Sequence, residues 1–150
     1  MSFIRKILTV DHVFLDLDVS SKKRIFEQVG LVAENDFQIA RSKVYDALFD
    51  REKLGSTGLG QGVAIPHGRI KGLKEAAGFF VRLKEPIPYD APDGKPVRLL
   101  FVLLVPDHAS ELHLQILGEL AELFCSRTLR EQLLIETDPA KLFELLGGQV

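Results

Sequence analysis

Val97-Arg98-Leu99-Leu100-Phe101-Val102-Leu103-Leu104-Val105 is apolar at every position but Arg98. A strand with one wet face alternates apolar and polar residues, whereas a strand covered on both faces reads as a continuous apolar run. Residues 97–105 therefore predict a strand buried inside a layered α/β domain. Just upstream, Ala76 to Leu83 reads as another strand. Between the two, Pro92-Asp93-Gly94-Lys95 is a turn, because Pro presets one dihedral and Gly permits the other. Residues 12–18, His-Val-Phe-Leu-Asp-Leu-Asp, alternate as an early half-buried strand does. Ser20 or Ser21 then caps a helix whose apolar positions Ile25, Phe26, Val29, Val32 and Ala33 keep helical spacing. A second helix is expected from about Gln38, with Phe37, Ala40, Val44, Ala47 and Leu48 on one face and Gly55 as its stop, which puts Arg51 in its last turns. Downstream, three helices start at Ser110, near Ser126 and at Asp138-Pro139, where a capping Asp precedes Pro at the first helical position, and Gly147-Gly148 ends the last. The expected fold is α/β: a single domain over residues 1–150, with a mixed β-sheet flanked by helices on both faces.

Composition narrows the function. The 150 residues suit one domain, and 46% apolar with 27% charged is ordinary globular usage. Nineteen Lys plus Arg against 21 Asp plus Glu give a net charge of −2, which argues against a general nucleic-acid binder and against a polybasic membrane-surface protein. Cys125 is the single cysteine, so no internal disulfide forms and a reducing compartment is the default. No apolar run reaches the length of a membrane span, and Met1 to Val10 lacks a signal-peptide core. No repeat, low-complexity tract or linker interrupts the chain. These features predict a cytoplasmic domain without membrane insertion.

Residues 55–72, GSTGLGQGVAIPHGRIKG, hold six glycines around the short apolar run Val63-Ala64-Ile65. Gly58-Leu-Gly60-Gln-Gly62 matches neither the phosphate-binding Walker pattern nor the dinucleotide fingerprint; its plain reading is a turn-rich connection. His67 is held between Pro66, which fixes the approach, and Gly68, which lets a ligand or another backbone come close. A rigid loop residue at a strand end is a place where reactive side chains are presented, and the alternative is a solvent-exposed histidine with no task. On a helical wheel, His113 falls inside the apolar stripe of Leu112, Ile116, Leu117, Leu120, Leu123 and Phe124, in the first turn of its helix. A ring aimed there must find a partner, whether a ligand or a backbone carbonyl of the core. Its helix follows a buried strand, and ligands of open α/β sheets gather outside such strand ends. Arg51 offers a guanidinium fork for a phosphate or carboxylate; alternatively it complements the helix dipole and pairs with Asp50 or Glu52. His67, His108 and His113 lack zinc spacing, and no Cys or carboxylate completes a set, so no metal is expected. Cys125 and Arg130 are spaced too closely for a tyrosine-phosphatase loop, and Cys125 reads as a buried helix-end cysteine. There is no Gly-x-Ser-x-Gly nucleophile elbow.

Together the segments resemble a known family. Arg51-Glu-Lys-Leu-Gly-Ser-Thr-Gly-Leu-Gly-Gln-Gly-Val-Ala-Ile-Pro-His67-Gly-Arg69 is similar to the active-site region of the mannitol/fructose-type enzyme IIA proteins of the bacterial phosphoenolpyruvate-dependent phosphotransferase system. A second match is Leu103-Leu-Val-Pro106 followed by His113-Leu114, and the likeness runs from about Ile7 to Leu146. The Ser-Lys-Lys-Arg opening of the first long helix and the Arg-Glu-Lys-Leu-Gly-Ser-Thr-Gly run look most like the nitrogen-regulatory branch. The resemblance implies a mannitol-type enzyme IIA fold and a phosphorylation-dependent regulator without cofactor. It implies that His67 accepts a phosphoryl group from a histidine-containing phosphocarrier protein, with His113 as second active-site histidine and Arg51 beside them. Ser56, Thr57, Gly58 and Gly68 are expected to form a phosphoryl-binding loop. Regulatory targets such as sensor kinases or potassium-transport components are implied partners. Two other readings stand beside this one: a sugar-specific transport component with a separate IIB partner, and a regulatory binding module without turnover. Arg51 and the helix N-terminus carrying His113 are expected to hold His67 neutral before reaction. Leu59, Ile70 and Phe79 or Phe80 are candidates for an apolar docking rim, with core packing as the alternative.

Overall fold

The computed structural model describes residues 3–108 and 110–147. Its elements are α1 (Phe3–Ile7), a 3-10 turn at Val10–His12, β1 (Val13–Leu17), α2 (Lys22–Phe37), α3 (Arg41–Lys53), β2 (Gly58–Gly60), β3 (Val63–Ala64), β4 (His67–Ile70), β5 (Ala77–Ile87), β6 (Val97–Pro106), α4 (Ser110–Phe124), α5 (Arg127–Ile135) and α6 (Pro139–Gly147). All six strands form one mixed sheet. β1 pairs parallel with β5, and β5 pairs antiparallel with β6. On the other side of β6, β3 and β4 lie end to end and parallel to it, with β2 antiparallel at the edge.

The apolar run 97–105 does what its pattern predicts. Leu100, Val102 and Leu104 face one core with Phe79, Val81 and Leu83, under Ile25, Phe26 and Val29 of α2 and Val44 and Leu48 of α3. Leu99, Phe101, Leu103 and Val105 face the other with Phe80, under Ile116 and Leu120 of α4, Leu133 of α5, and Leu142 and Leu146 of α6. The expected mixed sheet with helices on both faces is found. Three caps also fall where expected. The Ser21 hydroxyl accepts from Arg24 N at 3.2 Å, the Ser126 hydroxyl accepts from Leu129 N at 3.1 Å, and Asp138 accepts from Ala140 N at 3.0 Å.

Other expectations are corrected. Phe37 closes α2 rather than opening the next helix; Gln38 takes a left-handed conformation (φ 56°) that ends α2, and α3 starts at Arg41. His12 sits in the 3-10 turn, one residue before β1. β5 continues past Leu83 to Ile87; Gly58–Gly60, read as part of a turn-rich connection, is a short strand, and His67, read as a loop residue at a strand end, opens β4. Cys125 is exposed, because Phe124 takes the last buried position of α4 and the next residue rotates away from the core. Gly148, named as part of the final stop, lies outside the described residues. Among the described residues no helix is long and apolar enough to cross a membrane.

Candidate functional site

β3 and β4 are split by Pro66, whose missing N–H cannot join the ladder while its carbonyl accepts from Leu103 N at 2.9 Å. His67 follows at the first position of β4, in register with Leu103. Its ring is half-buried, and Nδ1 lies 2.9 Å from the Ile65 carbonyl. A carbonyl only accepts, so Nδ1 carries the proton and donates it, leaving a lone pair on Nε2. Gly68 then faces α3. A Cβ there would sit 3.0 Å from Ala47 Cβ, so its absence lets α3 close onto β4. Arg51 comes one turn after Ala47 on the same helix face. The strand spacing that buries Gly68 turns His67 and Arg69 to the opposite face, where His113 of α4 waits.

His113 stands in the first turn of α4 with 8% of its surface exposed, and its ring meets His67 edge-on at 5.0 Å between centroids and 69° between planes. Neither ring nitrogen of His113 has a hydrogen-bond partner among the described residues. No described residue supplies the backbone carbonyl that a purely structural core histidine would need. Burial pushes its pKa down to about 4, with the charges of His67, Arg69 and Arg51 adding to the effect, so the ring is uncharged at neutral pH. His67 is also lowered from the ordinary 6.5. Burial is the first cause, the bond to the Ile65 carbonyl opposes it, Arg51 lowers it further and Glu52 raises it. Arg51 thus contributes to neutrality as expected, but desolvation leads.

Arg51 pairs with neither sequence neighbour. Its Nη1 donates to the Gly55 carbonyl at 2.9 Å, while Asp50 lies 3.9 Å from Lys53 and Glu52 bonds Lys22. Its charge nevertheless acts on both imidazoles. Arg69 is exposed, with Nη1 3.4 Å from the Asp107 carbonyl. The loop residues Ser56, Thr57 and Gly58 are engaged inside the protein. The Ser56 hydroxyl donates to the Tyr89 carbonyl and accepts from Gly58 N, both at 3.1 Å, and the amide and hydroxyl of buried Thr57 donate to Glu52 at 3.0 and 2.7 Å. Gly68 packs against Ala47. These four residues shape the site, and their donors described here are committed to that scaffold.

Of the proposed docking rim, Leu59 is 45% exposed, while Ile70, Phe79 and Phe80 are core; the alternate residues of two-sided strands leave no apolar rim on β4 and β5. Leu112, at the margin of the His113 stripe, is 39% exposed. The residue that sequence reasoning missed is Glu52, which it weighed only as a partner for Arg51. The signal was available in the spacing: Val44, Leu48 and Glu52 recur every fourth residue, so a carboxylate continues the buried stripe of α3.

Comparison with known proteins shows the family and the fold. Residues 6–148 match the family model described as phosphoenolpyruvate-dependent sugar phosphotransferase system, EIIA 2. The nitrogen regulatory protein of Pseudomonas aeruginosa is 38% identical over 144 residues, spanning 95% of this chain and 94% of that one. Among solved structures, the nitrogen regulatory protein IIA-Ntr from Neisseria meningitidis superposes with a TM-score of 0.92 at 50% identity, covering 97% of this chain and 99% of that one. The IIA mannitol structure from Escherichia coli, at 22% identity and TM-score 0.78 over 93% of this chain and 98% of that one, shares the fold. On the match over nearly its whole length, the chain belongs to the EIIA 2 family of the phosphoenolpyruvate-dependent sugar phosphotransferase system.

Proposed function

We propose that this chain is a phosphoryl carrier that takes a phosphoryl group on Nε2 of His67 from a histidine-containing phosphocarrier protein, and that its phosphorylation state regulates other proteins. One observation carries the reading: the Ile65 carbonyl holds the proton on Nδ1 of a ring kept neutral by burial, which leaves Nε2 as a free nucleophile. In the transfer, the N–P bond on the donor imidazole breaks as the bond to His67 Nε2 forms. The electron pair returns to the donor nitrogen, and the Nδ1 proton stays on its hydrogen bond to Ile65. Such a transfer needs in-line positioning and charge stabilisation more than covalent assistance. Arg51 and Arg69 balance the charge of the phosphoryl oxygens. His113, neutral and with neither nitrogen partnered among the described residues, has one N–H to donate to them. Ser56, Thr57, Gly58 and Gly68 act by holding that geometry.

Full-length identity with nitrogen regulatory proteins supports the regulatory branch over sugar transport. Sensor kinases or potassium-transport components are the targets that this branch suggests, and the lone cysteine and balanced charge fit a cytoplasmic setting. A binding module without turnover has no need of a free nucleophilic nitrogen beside a neutral histidine. The test is to mix the chain with phosphoenolpyruvate, enzyme I and the phosphocarrier, and look for acid-labile phosphate. One phosphoryl group on the parent and none on His67→Ala is the expected result; full labelling of His67→Ala refutes the assignment.

A further inference from the structure

Behind the loop lies a buried polar cluster that the transfer chemistry does not use. The Glu52 side chain is 5% exposed. One of its oxygens accepts from the Thr57 amide at 3.0 Å and from Lys22 Nζ at 3.2 Å, and the other accepts from the Thr57 hydroxyl at 2.7 Å. Tyr89 closes the cluster, its hydroxyl 3.0 Å from Thr57 Oγ1 and its ring centroid 4.2 Å from Lys22 Nζ. The Thr57 carbonyl in turn accepts from Ile65 N at 3.0 Å, and the Ile65 carbonyl accepts from His67 Nδ1 at 2.9 Å. Two residues thus connect a buried carboxylate to the Nδ1 side of the His67 ring. Desolvating a carboxylate is costly, and neutral groups could brace a loop as well, so the charge itself calls for a role.

We propose that Glu52 is a positioning residue for His67: acting through Thr57 and Ile65, with its charge moderated by Lys22, it keeps the proton on Nδ1 while Nε2 carries the phosphoryl group. The inference rests on the reading of His67 as the acceptor. A phosphorylated ring that retains Nδ1–H leaves as neutral imidazole when the phosphoryl group moves on: the N–P bond breaks, its electron pair returns to Nε2, and the proton stays where it was. A ring that has lost that proton must leave as imidazolate, a much poorer leaving group. Arg51 from α3, Arg69 from β4 and His113 from α4 are the other titratable or charged groups facing this pair of rings. Asp90 lies 3.9 Å from Lys22 but is 93% exposed. Arg51 opposes a ring proton and Glu52 favours it.

The test uses opposite signs. Glu52→Gln, Lys22→Met and Lys22→Arg are made in the full chain, and the titration of the His67 ring in the phosphorylated protein is followed by nitrogen and proton NMR. Glu52→Gln should bind the titrating proton about threefold more weakly and Lys22→Met about threefold more tightly, while Lys22→Arg matches the parent. At pH 8, phosphorylated Glu52→Gln should hand its label to unlabelled phosphocarrier more slowly than the parent, and Lys22→Met faster. A cluster that merely braces the loop slows both variants and leaves the titrations in place or moves them together; that result overturns the inference. Should Glu52→Gln not fold, the two Lys22 variants decide, and equal midpoints for Met and Arg overturn it. Absence of label at His67 in the parent overturns the carrier reading and this inference with it, whereas label with unmoved midpoints overturns the inference alone.

Discussion

Replacing His113 by Leu should make the protein more stable and much worse at its task. A buried neutral imidazole has one donor and one acceptor, and neither nitrogen of His113 has a partner among the described residues. Leaving such groups unsatisfied costs about 1–3 kcal/mol each, less whatever solvent reaches at the rim. Leu fills the same stripe beside Ile116 and Leu117 with nothing to satisfy, so His113→Leu should gain about 1–2 kcal/mol at pH 7.5. For a chain of this size that raises the melting temperature by roughly 2–8 °C. The gain also depends on pH. The folded pKa of about 4 lies below the ordinary 6.5, so the folded state with His113 holds its full stability above 6.5 and loses it progressively as pH falls towards 4. The undiscounted shift corresponds to roughly 3 kcal/mol, and screening at the open side of the site reduces it to about 1–2 kcal/mol. Urea unfolding of parent and variant at pH 7.5, 5.5 and 4 should therefore show a gap that widens on acidification. Transfer from the phosphocarrier at pH 7.5 should fall on the order of 10²-fold, as when one preorganised donor is lost. A variant less stable than the parent at pH 7.5, or a gap that does not change with pH, refutes the account of His113 as a buried ring without a partner. An unchanged transfer rate refutes its part in the chemistry.

Two further substitutions probe the frame. Arg51→Lys keeps the charge and loses the planar fork, so initial labelling of His67 should slow by about tenfold while the melt stays nearly unchanged; equal rates would reduce Arg51 to a helix-end cation. Gly78→Ala would place a Cβ 2.6 Å from two ring carbons of Phe101, and should cost about 1–3 kcal/mol in urea unfolding while leaving transfer per folded molecule intact.

What sequence conveyed, and what it did not, follows from the range of the forces involved. Residues 97–105 gave away the layered sheet because burial on two faces leaves a continuous apolar run, here of strand length and bounded by the turn at 92–95 and by Pro106. Ser21, Ser126 and Asp138 announced helix starts because a capping bond is made within three residues. Gln38 gave no such notice: it ends α2 in a left-handed conformation without being glycine, so the boundary with α3 slipped and Phe37 was assigned to the wrong helix. The strand-like run at 63–65 was legible, but β2 and β4 were hidden in the Gly-rich segment because their pairing partners, β3 for β2 and the distant β6 for β4, and not their own composition, make them strands. Phe79 and Phe80 looked like candidates for a docking rim only while β5 had one assumed face; two cores claim both rings. His67 and Arg51 were visible through local spacing and resemblance, and His113 through its place on an apolar stripe. Glu52 was spaced to be buried, but its bonds to Thr57 and Lys22 exist only once α2, α3 and the loop have met.

The same burial that makes the core stable gives the site its chemistry. An imidazole in water near neutral pH is divided between charged and neutral forms and between two tautomers, so only part of the population can attack through a given nitrogen. Here desolvation disfavours the charged form, and one backbone carbonyl selects the tautomer. Neither device requires a catalytic base, so on the proposed carrier reading the phosphoryl group passes in either direction over the same geometry. Holding His67 too dry would strand a dianion in an apolar wall, and on the proposed reading Arg51 and Arg69, both in contact with solvent, offset that charge. His113 completes the arrangement from α4 without adding charge of its own at neutral pH. A lysine in its place would hold the phosphoryl oxygens more strongly and release them less readily, which suits an end point and not a carrier. On the proposed carrier reading, an uncharged donor with no competing partner among the described residues, its ring centroid 5.0 Å from that of His67, stabilises the passing group without trapping it.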